Sequence, residues 1–325
     1  MIVVRRRFLH LAAAAAALPA RAHLAAADAY PSRPIRLHVG SVPGAAPDVV
    51  ARLIADWLSQ RLHQPVVVEN RAGANGNLAA ETVVRATSDG YTLLLISAGN
   101  AINASLYDNL NFDLVRDVAP VSGVVSFPMV ITVRAQSPIK TLPDLIAYAK
   151  ANPGKLNIGT PPIGSPQDVA GELFKMETGT SVLIVPYRGG PPAITDALGG
   201  QIDGVIGTVL LLIDFIRNGN LRALAVTGST PSELLPDVPT VASFVPNFEA
   251  SQWVGIGAPA RTPLAIVERL NTEINAGLAD PQIRKKLIDL GGTPLPGSAQ
   301  DFGAFIAAET VKWGKVVKFA NLKPE

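Results

Sequence analysis

Cysteine is absent from all 325 residues. Its absence removes disulfides, thiolate nucleophiles and cysteine-ligated metal sites together. Histidine is scarce, with 4 in the chain, and His10 and His23 fall in an N-terminal leader pattern. Of the remaining two, His38 lies on the polar phase of a strand pattern and His63 sits beside Gln64-Pro65 at a helix end. Both placements fit a surface or dipole role better than catalysis. There is no Gly-x-Ser-x-Gly elbow, no P-loop lysine motif and no His-Glu-x-x-His. Gly73-Ala74-Asn75-Gly76 lacks the dinucleotide spacing. No catalytic set, metal site or cofactor is expected, and the chain reads as a binding protein, not an enzyme. Charge is sparse as well: 17% of residues are charged and 48% hydrophobic, enough to bury a sizeable core and to exclude disorder.

The N-terminus carries what the rest lacks. Arg5-Arg6-Arg7 precede Phe8-Leu9-His10-Leu11 and an alanine run to Ala17, with small-residue cleavage sites at Ala20-Arg21-Ala22 or Ala25-Ala26-Ala27. Basic, apolar and small-residue stretches in that order make a bacterial secretory leader over residues 1–27, and the run is too short for a membrane span. Paired arginines before Phe-Leu leave both Sec and twin-arginine export open. Export implies a periplasmic location. Cleavage removes Arg5, Arg6, Arg7 and Arg21, so 28 basic residues become 24 against 26 acidic ones and the net charge moves from +2 to −2. No basic stripe remains to neutralise phosphates, and nucleic acid is excluded as a partner.

From Tyr30 onward, period-2 and helical patterns alternate. Strands are expected at Ile35–Val39, Val66–Glu69, Tyr91–Ile96, Met129–Val133, Lys155–Gly159, Leu183–Pro186, Asp203–Ile206, Leu221–Thr227 and Trp253–Ala258. Helices are expected at Pro47–Leu62, Asn77–Ala86, Leu142–Ala151, Pro166–Glu177, Pro191–Leu198, Leu210–Asn218, Pro263–Leu278, Pro281–Leu290 and Ala299–Ala320. Alternation of this kind means α/β layers with mainly parallel sheets. So many strands divide into two lobes. The apolar segment Val124–Val133, with Pro128 inside it, carries the chain into the second lobe, and the proline-rich stretch Pro236–Gln252 returns it. The expected division is residues 28–127 with 245–325, and residues 128–244. No long repeat appears in the sequence.

Two glycine-bearing turns carry the chemistry. Val42-Pro43-Gly44-Ala45-Ala46-Pro47-Asp48 joins the first strand to a long amphipathic helix, with Pro47 suited to its first position and Ala46 to its N-cap. Gly159-Thr160-Pro161-Pro162-Ile163-Gly164-Ser165 repeats the arrangement before Pro166. Unpaired N–H groups and the positive end of a helix dipole make such turns anion sites. In open α/β sheets, ligands collect where these helix N-termini converge. The alternative is two ordinary strand–helix turns. Asp48 either orients a ligand or complements its helix dipole. Ser97-Ala98-Gly99-Asn100 follows a strand and is placed to line a cleft. Arg188 either meets a second carboxylate or is a solvated loop tip, and Trp57, Trp253 and Trp313 read as core.

Several segments resemble one family, the receptors of tripartite tricarboxylate transporters, also called Bug receptors. They include Tyr30-Pro31-Ser32-Arg33-Pro34-Ile35-Arg36, Pro65-Val66-Val67-Val68-Glu69-Asn70-Arg71-Ala72-Gly73, Ser88-Asp89-Gly90-Tyr91-Thr92-Leu93 and Ala170-Gly171-Glu172-Leu173-Phe174. Val185-Pro186-Tyr187-Arg188-Gly189, Leu221-Arg222-Ala223-Leu224-Ala225-Val226-Thr227 and Leu235-Pro236-Asp237-Val238-Pro239-Thr240-Val241 belong to the same set, which runs in order from Tyr30 to Glu325. The resemblance implies a two-lobe periplasmic-binding-protein-like fold. Two mainly parallel sheets joined by crossing strands would flank a cleft that closes on a small carboxylate, such as an organic acid, an acidic amino acid or an aromatic acid. It also implies delivery of that ligand to membrane transporter subunits or a sensor, by a monomer. The alternative is an exported protein of the same fold with a catalytic or scaffold role. By the resemblance, the first loop, with Val42, Pro43, Gly44, Ala45, Ala46 and Asp48, and the second, with Thr160, Gly164, Ser165 and Asp168, hold a ligand carboxylate largely through backbone groups and ordered water, and Thr208 marks a strand end at the pocket rim; Ser97, Ala98 and Arg188 are candidates from their own positions. The chain departs from the family at Ala45 and Pro47, at Asp168 (often His in the family), and at Thr208, where Asp or Asn is common.

Overall fold

The computed structural model describes residues 30–324; the leader read at residues 1–27 lies outside them. The chain opens with three strand–helix units: β1 (Ile35–Val39) and α1 (Ala46–Leu62), β2 (Val66–Asn70) and α2 (Asn77–Val84), β3 (Thr92–Ser97) and α3 (Ala98–Leu106). A short α4 (Leu114–Asp117) leads into the long strand β4 (Val118–Arg134), which is followed by α5 (Leu142–Ala151). Three further units follow: β5 (Asn157–Thr160) and α6 (Pro166–Thr178), β6 (Leu183–Pro186) and α7 (Gly190–Leu198), β7 (Gly204–Thr208) and α8 (Val209–Arg217). The remainder is β8 (Leu221–Val226), β9 (Ser251–Pro259), α9 (Leu264–Ala279), α10 (Pro281–Asp289), β10 (Thr293–Pro294) and α11 (Ala299–Ala320).

The two sets of three units are built alike. In the first, β1 lies between β2 and β3, all parallel, with β9 antiparallel beside β3. In the second, β5 lies between β6 and β7, all parallel, with β4 antiparallel beside β7. β4 belongs to both sheets: as far as Pro128 it pairs with β9 and β10, and from Met129 onward with β7 and β8. The α/β architecture of two sheets joined by crossing strands is therefore present. The short strand Met129–Val133 expected from sequence is the second half of a 17-residue element. Pro128 sits at the change of partner, where its missing N–H costs no ladder bond.

Both faces of the first parallel trio are covered, and the core follows from that. Ile35, Leu37 and Val39 are fully buried with Ile54 and Leu58 of α1. His38 is buried too, which corrects its reading as a surface residue: in a parallel sheet covered on both sides the polar phase also points inward. Burial pushes its imidazole below the ordinary 6.5, outweighing the nearby Glu69. A second core gathers Val130, Ala193, Val205, Leu212 and Val226 under β4 and β7. α11 packs against both α3 and α6; its own Trp313, and Trp253 of β9, are wholly buried, as expected, whereas Trp57 is half-buried.

Element boundaries shift where turn chemistry decides them. α1 starts one residue early: Ala45, not Ala46, is the N-cap, with ψ of 157°, and Pro47 takes the second helical position. β5 begins two residues later than expected, at Asn157. α3 was not anticipated at all. Ser97-Ala98-Gly99-Asn100 is its first turn and not a loop, because the Asn100 side-chain oxygen accepts from the Ser97 N–H at 2.9 Å. Thr141 with Asp144 at the start of α5 and Ser298 with Asp301 at the start of α11 form capping boxes.

Candidate functional site

The two glycine turns fold identically. Gly44 adopts φ of +81° and Gly164 φ of +75°, a left-handed conformation that favours glycine. Gly44 N–H donates to the Asp48 carboxylate at 2.8 Å, and Gly164 N–H donates to Asp168 at 2.9 Å. Ala45 N–H reaches Val42 O and Ser165 N–H reaches Pro162 O. In each turn the carboxylate four residues on from the glycine bends back over the helix start. The Gly44 and Gly164 N–H groups, expected to point outward as free donors, are thereby occupied.

The two carboxylates have different surroundings. Burial raises the Asp48 carboxyl, but Arg52, Gly44 and Asn70 outweigh it and hold the group below the usual 3.8. The Arg52 Nε and Nη2 donate at 3.0 Å each and the Asn70 amide at 2.8 Å. Asp168 has no cation bonded to it. Burial pushes its carboxyl up to about 6, and the charge of Glu172 adds to this. Gly164 N–H, and the Thr160 hydroxyl at 3.3 Å, pull the other way with less effect. The charge of Lys175 also pulls the Asp168 carboxyl down, but that ammonium group is held by Glu172 at 3.0 Å.

Between the turns lies a cavity of about 130 Å³. Gly40 and Ser41 line it from the end of β1, Asn75 and Gly76 from the end of β2, and Leu95, Ser97, Gly99 and Asn100 from β3 and α3. Pro47 and Pro166 face it from the starts of α1 and α6, and Gln252 from β9. It sits where loops after neighbouring parallel strands part, the usual ligand position in such sheets. The loops meet closely: a Cβ on Gly40 would come within 2.5 Å of Gly76 Cα. None of the lining residues carries a charged side chain. The Asn100 Nδ2 and Ser41 Oγ atoms are buried and have no hydrogen-bond partner among the described residues.

Of the residues nominated from sequence, Ser97 lines this cavity directly. Asp48, Ala98, Thr160, Gly164 and Asp168 are buried behind it, and Ala45, Ser165 and Thr208 are partly exposed. Val42, Pro43, Gly44 and Ala46 stand exposed at the first turn, and Arg188 is exposed after β6. The flanks of the first turn, not its tip, reach the cavity. Ser41, Asn75 and Gln252 were missed, and Asn100 was noticed only as part of its segment. Ser41 gave a signal, a hydroxyl directly after the strand-end Gly40; Gln252 gave none, because only the packing of β9 against β3 brings it here.

The profile described as "Tripartite tricarboxylate transporter family receptor" matches residues 50–322. Protein BugT of Bordetella pertussis is 37% identical over 300 residues, covering 91% of this chain and 92% of the relative. The chain belongs to the tripartite tricarboxylate transporter receptor family. Among solved structures of this kind, R. palustris Rpa4515 with adipate superposes at TM-score 0.76 with 34% identity, covering 91% of this chain and 100% of that one. MatC from Rhodopseudomonas palustris with bound malate superposes at 0.72 with 29% identity, covering 89% and 100%. The receptor family match begins at Val50, inside α1, and does not include β1 or the first turn.

Proposed function

We propose that this chain is a periplasmic receptor that captures a small carboxylate between its two sheets and hands it to the membrane subunits of a tripartite tricarboxylate transporter. The observation that carries this reading is the neutral cavity between the starts of α1, α3 and α6, whose lining residues Ser41 and Asn100 have buried donors without a partner among the described residues. An anion entering there meets N–H and O–H groups and the positive ends of helices. It meets no group placed to break a bond, which supports capture over catalysis. The adipate and malate held by related proteins support a carboxylate as the ligand class. Residues 28–127 with 245–325 act as one lobe and 128–244 as the other, and closure between them traps the ligand. Native mass spectrometry of protein released from the periplasm tests this. It should detect one small acid per chain, recovered unchanged after unfolding; chemical conversion of that acid during incubation would overturn the reading.

A further inference from the structure

The cavity wall also limits which carboxylate fits. We propose, on the basis of the receptor reading above, that this cleft selects a short monocarboxylate bearing a neutral hydroxyl or carbonyl group, and discriminates against amino acids and dicarboxylates. The acid end is placed at Asn100 and Ser41, which both line the cavity and whose Nδ2 and Oγ have no hydrogen-bond partner among the described residues. Asn100 cannot turn its oxygen to a ligand, because that atom already accepts from Ser97 N–H and from the Ser97 hydroxyl at 3.2 Å. The site therefore presents a fixed donor and favours an anion there.

A second ionic group finds no counterpart. An ammonium needs a carboxylate, yet Asp48 is paired with Arg52 and neither Asp48 nor Asp168 lines the cavity. A second carboxylate needs a cation, yet Arg52 is spent on Asp48 and Asn70, and Arg188 does not reach the cavity. Burying either charge unpaired is costly. A neutral group fares better. Gln252 lines the cavity with a carboxamide, an acceptor and a donor together, held only by a long 3.4 Å bond from Gln167. In the state the structure shows, the cavity measures about 130 Å³, near the roughly 150 Å³ that holds benzene, with about six non-hydrogen atoms. Lactate and pyruvate have about that many atoms; malate and adipate exceed it.

Calorimetry on the mature chain with L-lactate, pyruvate, propionate, L-alanine, malate and adipate tests this. Lactate and alanine are nearly isosteric and differ in hydroxyl against ammonium, so the pair isolates charge. Lactate or pyruvate should bind about ten-fold or more tighter than propionate, with alanine, malate and adipate weaker still. Alanine or a dicarboxylate binding as tightly as lactate overturns the selectivity and leaves the receptor reading standing; failure of every acid, aromatic acids included, overturns both. Gln252→Leu should equalise lactate and propionate, and Gln252→Glu should admit alanine while expelling lactate. Circular dichroism confirms that these variants are folded. An unchanged lactate-to-propionate ratio in folded Gln252→Leu overturns the role given to the amide.

Discussion

Asp48 and Asp168 occupy the same place in two matching turns, and they titrate in opposite directions. The Asp168 carboxyl lies above its unfolded value of 3.8, at about 6. Its neutral form therefore stabilises the fold fully below pH about 3.8, and that stabilisation is lost as pH rises through about 6. Two pKa units correspond to about 3 kcal/mol, an upper figure for a single group. Asp168→Asn, which cannot ionise, should be more stable than wild type at pH 8 by about 1–3 kcal/mol and should lose that advantage at pH 4. Urea unfolding at the two pH values measures this, and an advantage independent of pH would mean that Asp168 does not titrate in this range. The glycines of the site divide in a similar way. A Cβ on Gly44 meets nothing within 4 Å, but φ there is +81°. Gly44→Ala should cost about 1 kcal/mol of stability and leave affinity intact. Gly40→Ala, pressed against Gly76, should instead weaken ligand binding about ten-fold or more, as titration calorimetry on both variants would show.

At the scale of elements, α11 is fastened at its start and at its middle. Ser298 accepts from the Asp301 N–H at 3.0 Å, while the Asp301 carboxylate accepts from Ser298 N–H and Oγ. Farther along, Glu309 Oε2 accepts from the indole N–H of Trp253 on β9 at 2.8 Å and from that of Trp313 at 2.9 Å. Lys312 contacts the same carboxylate and also Glu249. One buried acid thus joins α11 to the strand that carries Gln252. Glu309→Leu leaves two buried indole donors unpaired, at about 1–3 kcal/mol each, so a loss of about 2–5 kcal/mol is expected in denaturant titration followed by tryptophan fluorescence. Glu309→Gln, which retains an acceptor, should lose less; equal losses would show that packing and not the hydrogen bonds sets the cost.

For the whole molecule, the decisive contacts are those that bridge the two sheets at the cleft. A Cβ on Gly164, in the turn before α6, would meet Leu106 Cδ2 of α3 at 2.3 Å. Asn75 Nδ2 lies 3.5 Å from Gly164 O, and Gln167 reaches Gln252 at 3.4 Å. Bonds of this length between described residues across the cleft are compatible with the proposed closure by hinge motion. Gly164→Ala should hold the lobes apart: its radius of gyration in small-angle scattering should stay above that of liganded wild type even at saturating acid. Leu106→Ala in the same chain should restore closure. A compact Gly164→Ala protein that binds normally would remove this contact from the closing surface. N-terminal sequencing of exported protein should find a start between His23 and Tyr30, and an intact Met1 would contradict export.

What the sequence determined by itself was local and periodic. The alternation of strand and helix patterns, the prolines and hydroxyls at helix starts, and the two glycine turns each depend on a few neighbouring residues, and most reappear within two residues of their expected ends. Family membership was legible for the same reason, through short motifs in fixed order. The tertiary structure decided everything that needs distant residues to meet. The like construction of the two sets of strand–helix units appears only as strand order and direction, because such units demand apolar periodicity, which many sequences satisfy, and not shared identities. His38 reads as a surface residue until both faces of its sheet are seen to be covered. The glycine N–H groups read as free donors until Asp48 and Asp168 bend back to take them. Gln252 enters the cavity only because β9 lies between β3 and β4, a neighbour relation set by the crossing strands and invisible to any window of adjacent residues.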